Sequence, residues 1–418
     1  LDVTFIPDVN PDSVPLQFPP REPAYATDWS SWSLWRWLET HSYDAVIIMG
    51  GDAFGFGEAL ASGASALGNV PVFEFDYEAE LIDALKGQKQ LRRSPASESM
   101  QLRMQRDETE LAAELSSVYG QSVTDLTYIP AMALIARLRL GEEAAVRELA
   151  DSLLADPQTL RLDSSLHIAG HLLFAELAEF TGESRYLEQA RIAADLGFAA
   201  DGSLLEAMPH HGEYSDAIFM ATPLLAKVGK LSGEQRYFDL AQQHVEFILS
   251  RLERADGLYN HWPRADAAWG RGNAFVLLGL ALALSDFPES HPGHAALLEH
   301  YRSLATVLLR YLDADGMWHN VINIPGSWAE TSATAMIATA LQRGVDQAWL
   351  PAFYQGVVDA SWQGILARTS NAGSFSNVCE STPGQVSLEA YLARRALSAV
   401  DARAGGMVLN LIAERLAR

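Results

Sequence analysis

Two stretches of the chain resemble each other and decide its fold: Thr181-Gly-Glu-Ser-Arg-Tyr-Leu-Glu-Gln-Ala190 and, 51 residues later, Ser232-Gly-Glu-Gln-Arg-Tyr-Phe-Asp-Leu-Ala241. Each copy is typical of a turn followed by the second helix of a helical pair, so the repeating unit is a helical hairpin. Repeated hairpins form either an open solenoid with a binding surface or a closed toroid with a pocket at its centre.

Helical periodicity continues on both sides of the repeat, from about residue 108 to the end of the chain. It predicts about twelve helices, centred near residues 112, 132, 148, 172, 190, 222, 243, 276, 304, 336, 358 and 394. Gly, Pro and Asp between them are the residues expected in loops between antiparallel helices. Twelve helices make six hairpins, which suits closure into a toroid.

Residues 1–90 follow a different pattern, in which strands and helices alternate. Runs rich in β-branched and aromatic residues predict strands, and longer periodic segments predict helices, which together indicate a small α/β segment with a parallel sheet. The predicted strands are Val3–Ile6, Ala45–Met49 and Val70–Phe75, and the predicted helices are Trp32–Leu38 and Gly57–Leu67. Residues 91–107, rich in Ser and Gln, are predicted to be a linker to a barrel domain over residues 108–418.

The N-terminal segment carries two weak motifs. Phe5-Ile-Pro-Asp-Val-Asn-Pro-Asp12 loosely resembles a strand-to-loop segment of zinc carboxypeptidases, but the His-x-x-Glu pair and the later His of that family are missing. We therefore expect a truncated or degenerate relic. Gly50-Gly51, followed by Gly55 and Gly57, lacks the Lys-Ser/Thr ending of a phosphate loop, so a strand-to-helix turn is the preferred interpretation.

Composition limits the classes of partner. The chain has 418 residues, of which 49% are hydrophobic, and its 30 Lys and Arg against 53 Asp and Glu give a net charge of −23. Such a charge repels nucleic acids and anionic membranes, so we expect neither as a partner. The single cysteine, Cys379, forbids an internal disulfide. We expect a cytoplasmic protein that is a monomer or homodimer.

Five loops of the helical region are unusually rich in aromatic residues, His, Asp and Arg. They alternate with the repeated turns along the chain, so they should share one rim of the toroid. Aromatic rings with a few charges are typical of a sugar site, where rings face pyranoses and charges face a carboxylated sugar. The loops are His210–Asp216, Tyr259–Trp262, Ala268–Asn273, Met317–Asn320 and Trp328–Ser332.

Six ordered motifs in residues 108–400 carry a family resemblance. They are Ser215-Asp-Ala-Ile-Phe-Met220, Gly257-Leu-Tyr-Asn-His-Trp262, Trp269-Gly-Arg-Gly-Asn273, Gly316-Met-Trp-His319, Glu330-Thr-Ser-Ala-Thr-Ala-Met336 and Val378-Cys-Glu-Ser-Thr382. The chain resembles the unsaturated glucuronyl and rhamnogalacturonyl hydrolases, glycoside hydrolase families 88 and 105. The residues of its motifs are closer to those of family 105. The resemblance implies an all-α (α/α)6 barrel, in agreement with the twelve predicted helices.

The resemblance also implies an uncommon glycosidase reaction. The substrate is a small acidic oligosaccharide left by a polysaccharide lyase, with a C4=C5 double bond in its non-reducing uronic acid. An acid protonates C4, water adds at C5, and the hemiketal collapses with loss of the aglycone sugar. Two carboxylates acting at the anomeric carbon are not needed. No cofactor and no metal are implied.

Two aspartates are the implied catalytic residues. Asp216 matches the family's aspartate that donates the proton to C4 and then deprotonates the attacking water. Asp163 lies about where the family keeps a second aspartate that orients the substrate. Both precede predicted helices, and Asp is a common N-cap, so capping is the structural alternative for each.

The implied substrate-binding residues surround these aspartates. His261 matches the family's binding histidine, Trp269 its stacking tryptophan, and Arg271 the guanidinium suited to a planar uronate carboxylate. Tyr214 and Phe275 stand where the family commonly has tryptophan, which leaves the aglycone open. His211, Thr331 and Ser332 complete the predicted pocket.

Three alternatives remain at this stage. His167 and His171 have the i, i+4 spacing of zinc ligands, but no third ligand is evident, so histidines lining the barrel or its core are favoured. A carbohydrate-binding toroid without turnover would keep the aromatic rim. An (α/α)6 epimerase or lyase is disfavoured, because the motifs around Asp216 and Arg271 match those of the hydrolases.

Overall fold

The computed structural model describes residues 4–10, 15–18, 20, 29–52, 54–62, 69–87 and 92–417. The N-terminal unit contains a parallel sheet, as predicted. Two strands pair in it, with Val46 opposite Val72. Its elements are α1 (Trp29–His41), β1 (Val46–Met49), α2 (Phe56–Ala61), β2 (Val72–Phe75) and α3 (Glu78–Gly87).

Two predictions for this unit differ from the structure or fall outside it. Residues 4–6 form no strand, and Val3 lies outside the described residues, as do residues 63–67 of the predicted second helix. The predicted strand-to-helix turn at Gly50 and Gly51 is confirmed, since both have positive φ and α2 follows. Asp52 accepts hydrogen bonds from the backbone N–H groups of Phe56 and Gly57, so a carboxylate already occupies the N-terminus of α2.

The predicted linker is a packed helix. Residues 88–91 lie outside the described residues, but α4 (Pro95–Met104) begins at Ser94, whose side chain accepts from Ser97 N–H. Arg103 is buried and donates to the carbonyl of Ala367, and Arg106 donates to the carbonyls of Thr369 and Ser370. These long-range bonds hold the segment on the barrel, a tertiary effect that a Ser- and Gln-rich composition does not reveal.

Residues 108–417 form six helical hairpins closed into a ring, and the predicted (α/α)6 barrel is confirmed. In chain order the elements are α5 (Glu108–Val118), α6 (Tyr128–Arg139), α7 (Glu143–Ala155), α8 (Ser165–Gly170), α9 (Leu172–Thr181), α10 (Ser184–Ala194), α11 (Ala217–Ser232), α12 (Arg236–Leu252), α13 (Gly270–Leu284), α14 (His294–Leu308), α15 (Thr331–Asp346), α16 (Tyr354–Ala367), β3 (Phe375–Cys379), α17 (Leu388–Leu392), β4 (Ala396–Ala399) and α18 (Ala402–Leu416).

The inner wall of the barrel consists of α6, α8 with α9, α11, α13, α15 and α18, each packed on the next, with α18 returning to α6. Their sequences explain this position, because most of their residues are apolar or small and are buried. Every residue of α13 is buried, whereas the outer helix α12 buries one face only. A helix that is hydrophobic all round belongs in a core, and an amphipathic one covers it.

The internal repeat is confirmed in atomic detail. Tyr186 donates to Asp151 and Tyr237 donates to Asp195, each over 2.7 Å. In both copies the preceding arginine lies over the tyrosine ring, at 4.5 Å for Arg185. The second residue of each copy is a glycine with a φ of 73°, which ends the preceding helix as expected for a left-handed C-terminal residue.

The last predicted helix, centred near residue 394, is misplaced. That region holds α17 and the antiparallel pair β3 and β4, and the twelfth barrel helix is α18. Gly405 and Gly406 lower the helical propensity of α18. The barrel requires them, because a Cβ at Gly405 would lie 2.5 Å from the Tyr119 ring and one at Gly406 would lie 3.1 Å from the backbone of Ala133.

A ring of alternating charges, which we call the far-end ring, closes the barrel at the C-terminal ends of the inner helices. Glu176 lies 3.0 Å from Arg139 and 3.6 Å from Lys227, and Arg343 pairs with Glu414. Each of the six inner positions contributes one member: Arg139, Glu176, Lys227, Asp286, Arg343 and Glu414. The opening of the barrel is therefore at the other end, where the inner helices begin.

Among the described residues, none of the helices combines the length and the apolar character that a membrane crossing requires.

Candidate active site

The aromatic loops meet at the end of the barrel where the inner helices begin, as predicted. Ser215 N–H donates to the carbonyl of His261 over 2.9 Å, and Gly270 N–H donates to the carbonyl of Asn320 over 2.7 Å. Asn320 N–H in turn donates to the carbonyl of Trp328 over 2.8 Å. Loops from successive hairpins are thus bonded into one rim, which fixes the side chains they carry.

Asp216 is the N-cap residue of α11, but its side chain makes no capping hydrogen bond. Instead its Oδ1 lies 3.4 Å from Nε2 of His261, and the side chain is 23% exposed. The capping alternative therefore does not account for this side chain, which faces both a histidine and solvent.

His261 is buried, with a relative exposure of 1%. Its ring packs against Trp269 at 4.4 Å and Tyr214 at 5.1 Å between centroids. Its Nδ1 lies 2.6 Å from the hydroxyl of Tyr391, on the short helix α17. Sequence reasoning missed Tyr391, because 130 residues separate it from His261 and no local motif marks it.

Arg271, at the start of α13, is buried and held by backbone carbonyls. Its Nη1 donates to the carbonyl of Cys379 and its Nη2 to that of Glu380, both over 2.8 Å, and Nη1 also reaches Ser332 at 3.2 Å. Burial acts to lower the pKa of Arg271, but Cys379 and Glu330 raise it, so the guanidinium stays charged. Its Nε–H has no acceptor among the described residues, so one edge of the guanidinium remains available.

Trp269 holds these groups in place. Its ring packs against His261, the Arg271 guanidinium lies 4.7 Å from its centroid, and its Nε1 donates to Asn320 over 3.1 Å. The ring is only 2% exposed. The structure therefore gives it contacts with protein groups and not the open face that the prediction of sugar stacking requires.

The more accessible aromatic surface is a stacked pair, Tyr214 and Trp262. Both are partly exposed, and their rings lie 5.8 Å apart with an angle of 23° between planes. Trp262 Nε1 donates to the carbonyl of Gln385 over 2.7 Å, which fixes the pair at the rim. The predicted place of Tyr214 in the pocket fits this geometry.

Three further predicted residues are buried beneath the rim. Phe275 packs under Tyr128 in the core. The Thr331 hydroxyl donates to the carbonyl of Ser376, and the Ser332 hydroxyl donates to the Glu330 carboxylate. Their side chains are committed to contacts within the protein, so the structure supports bracing and not the predicted contact with substrate.

Tyr128, at the start of α6, is a second residue that sequence reasoning missed. Its ring meets Phe219 and Phe275 edge to face at 5.8 and 5.4 Å, near the centre of the barrel. Burial raises its pKa to about 12, Arg271 acts against this, and Asp216 adds to it. The Tyr128 hydroxyl has no hydrogen-bond partner among the described residues, so it is available to a ligand.

His211 does not join the cluster. Its ring meets Phe247 of the outer helix α12 at 5.1 Å, and its Nδ1 accepts from Glu213 N–H. The neighbouring residues His210, Gly212 and Glu213 all have positive φ, a local backbone conformation that the sequence pattern did not reveal. The predicted binding role of His211 is not supported.

Asp163 lies before α8, whose N-cap is its neighbour Ser164. The Asp163 carboxylate contacts Arg161 at 2.6 Å and His167 at 2.8 Å, and its side chain is 58% exposed. Hydrogen bonding from Arg161 lowers the pKa of Asp163. Capping does not explain this aspartate either, and its open carboxylate suits contact with substrate.

The His167 and His171 pair does not form a metal site. His167 contacts Asp125 and Asp163, whereas Nδ1 of His171 bonds the carbonyl of His167 and its ring is buried. Among the described residues, no group of three or more His, Cys, Asp or Glu side chains is arranged to hold a metal ion.

The family assignment follows from a match over the barrel. The protein-family model described as Glycosyl Hydrolase Family 88 matches residues 144–418. The chain belongs to this family. The predicted relationship is thereby confirmed, and the matched range of the family 88 chain includes Asp216, His261 and Arg271.

Related proteins agree with this assignment. The chain is 27% identical over 241 residues to Unsaturated rhamnogalacturonyl hydrolase YesR of Bacillus subtilis, covering 53% of this chain and 68% of that protein. It is 25% identical over 171 residues to Unsaturated 3S-rhamnoglycuronyl hydrolase of Formosa agariphila, covering 36% of this chain and 45% of that protein. The match to the second relative thus spans less than half of that relative's length.

Solved structures confirm the fold. A crystal structure described as a possible member of the GH105 family from Salmonella enterica serovar Paratyphi A superposes with a TM-score of 0.64 at 20% identity. The match covers 75% of this chain and 95% of that chain. The barrel is therefore common to both.

Proposed function

We propose that this protein removes the 4,5-unsaturated uronic acid from the non-reducing end of oligosaccharides that polysaccharide lyases release. One observation carries the proposal: the Asp216 carboxylate caps nothing and faces His261 at 3.4 Å on an aromatic rim. Membership of Glycosyl Hydrolase Family 88 and the similarity to YesR support it.

The reaction is the hydration of a vinyl ether. A proton adds to C4 while water adds to C5, which places a hydroxyl beside the ring oxygen. The hemiketal opens by breaking the bond between C5 and the ring oxygen, which leaves a ketone at C5 and a hemiacetal at C1. The hemiacetal then expels the aglycone sugar, so one water is consumed and two products form.

Asp216 supplies the proton for C4 and, as a carboxylate, takes a proton from the attacking water. A single group can serve both steps because the first leaves it in the form that the second needs. His261, buried beside it, orients the carboxyl. Catalytic hydrogen bonds are often long before substrate binds, so the 3.4 Å separation suits a contact that tightens in the complex.

Arg271 is the proposed partner of the uronate. The Nη contacts with Cys379 and Glu380 fix the plane of the guanidinium, which leaves the edge containing Nε–H for a carboxylate. Inner helices α11 and α13 begin at this end, and their positive ends favour an anion. The local field therefore suits a uronate although the whole chain carries −23, since solvent screens distant charges.

Asp163 is proposed to accept hydrogen bonds from hydroxyl groups of the unsaturated sugar. Its carboxylate is exposed and is held by Arg161 and His167 at a neighbouring inner position of the barrel. Tyr214 and Trp262 offer the aromatic surface for the aglycone. The cytoplasmic location and a monomeric or homodimeric state stay predictions.

A matched pair of disaccharides tests the proposal against a binding toroid without turnover. One member carries the C4=C5 double bond, and the other is its saturated counterpart with the same aglycone. We expect the ultraviolet absorbance of the unsaturated member to fall and its aglycone to appear, while the saturated member stays intact. Cleavage of both would indicate chemistry at the anomeric carbon, and binding without cleavage would indicate a toroid that only binds.

A further inference from the structure

Tyr391 and His261 form a buried contact that the proposed chemistry does not by itself explain. The Tyr391 hydroxyl lies 2.6 Å from Nδ1 of His261, and both residues are almost completely buried. The carbonyl of Tyr391 accepts from the Asn320 side chain over 3.0 Å, which ties α17 to the rim. The rim therefore sets this contact.

The other hydrogen bonds of the Tyr391 hydroxyl show which group donates in its contact with His261. Gln385 N–H donates to the Tyr391 oxygen over 3.2 Å, so one lone pair is already used. Burial raises the pKa of Tyr391, which keeps the phenol protonated. Among the described residues, the only acceptor within reach of its hydrogen is Nδ1 of His261. The phenol therefore donates, and Nδ1 accepts.

A histidine whose Nδ1 accepts carries its hydrogen on Nε2, because the bond at one ring nitrogen sets the state of the other. Nε2 is the atom that lies 3.4 Å from Asp216 Oδ1. We infer that Tyr391 is a positioning residue that fixes the Nε2–H tautomer of His261, so that His261 presents a hydrogen-bond donor to Asp216. This inference rests on the proposed function for its kinetic consequence.

The tautomer matters because the proton on Asp216 must reach C4. With Nε2–H facing Oδ1, the carboxylic proton stays on Oδ2, on the side away from the histidine. With the opposite tautomer, a bare Nε2 would accept that proton and draw it away from the substrate. By fixing the Nε2–H tautomer, the Tyr391 hydroxyl, 130 residues away from His261 along the chain, would control the direction of proton transfer.

The test combines a spectroscopic and a kinetic measurement on the full chain. The ¹⁵N ring resonances of His261, assigned by their loss in His261→Gln, should show a protonated Nε2 and an unprotonated Nδ1 in the wild type. Tyr391→Phe removes only the hydroxyl and should give mixed tautomers. It should lower kcat roughly 10- to 100-fold, the range known for groups that orient metal-bound histidines, with KM nearly unchanged.

Tyr301→Phe is the matched control. Tyr301 is also fully buried and its hydroxyl also donates one hydrogen bond, to the carbonyl of Ala340, but it lies on the outer helix α14. It should change neither the His261 resonances nor kcat. A wild-type His261 protonated on Nδ1, or Tyr391→Phe with wild-type resonances and kcat, would overturn the inference. The resonances need no substrate, so failure of the proposed function would leave this measurement intact.

Discussion

Nε2 of His261 lies 3.4 Å from Oδ1 of Asp216, and these two residues come from different hairpins of the barrel. The histidine is buried against Trp269, whereas the aspartate is partly exposed at the start of α11. A fixed, buried partner and an accessible carboxyl are the arrangement that a proton-donating group requires.

His261→Gln should lower kcat/KM about 10²- to 10³-fold, because a flexible amide lacks the ring that packs against Trp269 and Tyr214 and cannot keep its donor fixed beside Asp216. Steady-state rates with an unsaturated disaccharide measure the effect. His300→Gln, on the outer helix α14, is the control and should match the wild type. Equal rates for the two variants would remove His261 from the site.

Arg271→Lys should raise KM roughly 10- to 100-fold. Lysine keeps the charge but lacks the planar fork, so it cannot bond the carbonyls of Cys379 and Glu380 and also a carboxylate. The comparison is KM for wild type, Arg271→Lys and the control Arg302→Lys on the exterior of α14. A KM unchanged by Arg271→Lys would mean that the uronate binds elsewhere.

Glu176→Gln should lower the free energy of unfolding by about 3–5 kcal/mol, since it leaves buried cations of the far-end ring without their partner. kcat/KM should not change, because this ring lies at the end of the barrel opposite Asp216. Thermal unfolding checks the first expectation, with Glu188→Gln on exposed α10 surface as control. A loss below about 1 kcal/mol would contradict it.

Glu176 should also make the stability of the protein depend on pH. Burial acts to raise the pKa of Glu176, but Arg139, Lys227 and Arg343 hold it at about 2, below the ordinary value of 4.5. Because the folded pKa is the lower one, the stability from this carboxylate is present above pH 4.5 and is lost as pH falls from 4.5 towards 2. Over that range the unfolding temperature should fall more steeply for the wild type than for Glu176→Gln, and parallel curves would contradict the assignment.

Trp32→Ala tests whether the N-terminal unit supports the candidate site. Trp32 of α1 packs against the apolar cluster that contains Trp269, Trp328 and Tyr391. Losing this ring should destabilise the protein by about 2 kcal/mol and raise KM several-fold, because the wall behind His261 loosens. Tyr77→Ala, exposed in the same unit, should have neither effect. Unchanged stability and KM would show that the N-terminal unit is independent of the barrel.

The sequence predicted those features that depend on local patterns. Repeated hairpin turns around Tyr186 and Tyr237 indicated the barrel, and a six-residue motif located Asp216. What it missed depends on contacts between distant segments. Arg103 binds the barrel from a polar segment, which is a packed helix for that reason. Gly405 and Gly406 weaken the helical pattern of α18, but they allow close approach to Tyr119 and to α6.

In the candidate site too, local motifs were predictable and contacts between distant segments were not. The motif around Trp269 and Arg271 identified the right residues but not their orientation, because the carbonyls that hold the guanidinium belong to β3 and the residue after it. Tyr391 has no local signature at all. Buried polar networks join residues far apart in the chain, so their geometry follows only from the folded structure.

The rate at which the C4=C5 absorbance of a lyase-generated disaccharide disappears, compared between wild type and Asp216→Asn, measures the role of Asp216 in proton donation. Asparagine keeps the shape of the side chain but cannot donate a proton to C4, so the rate should fall by about 10³-fold or more. Asp156→Asn, after the outer helix α7, should keep the wild-type rate. An Asp216→Asn protein that consumes the disaccharide at a rate within about threefold of the wild type would show that Asp216 is not the proton donor.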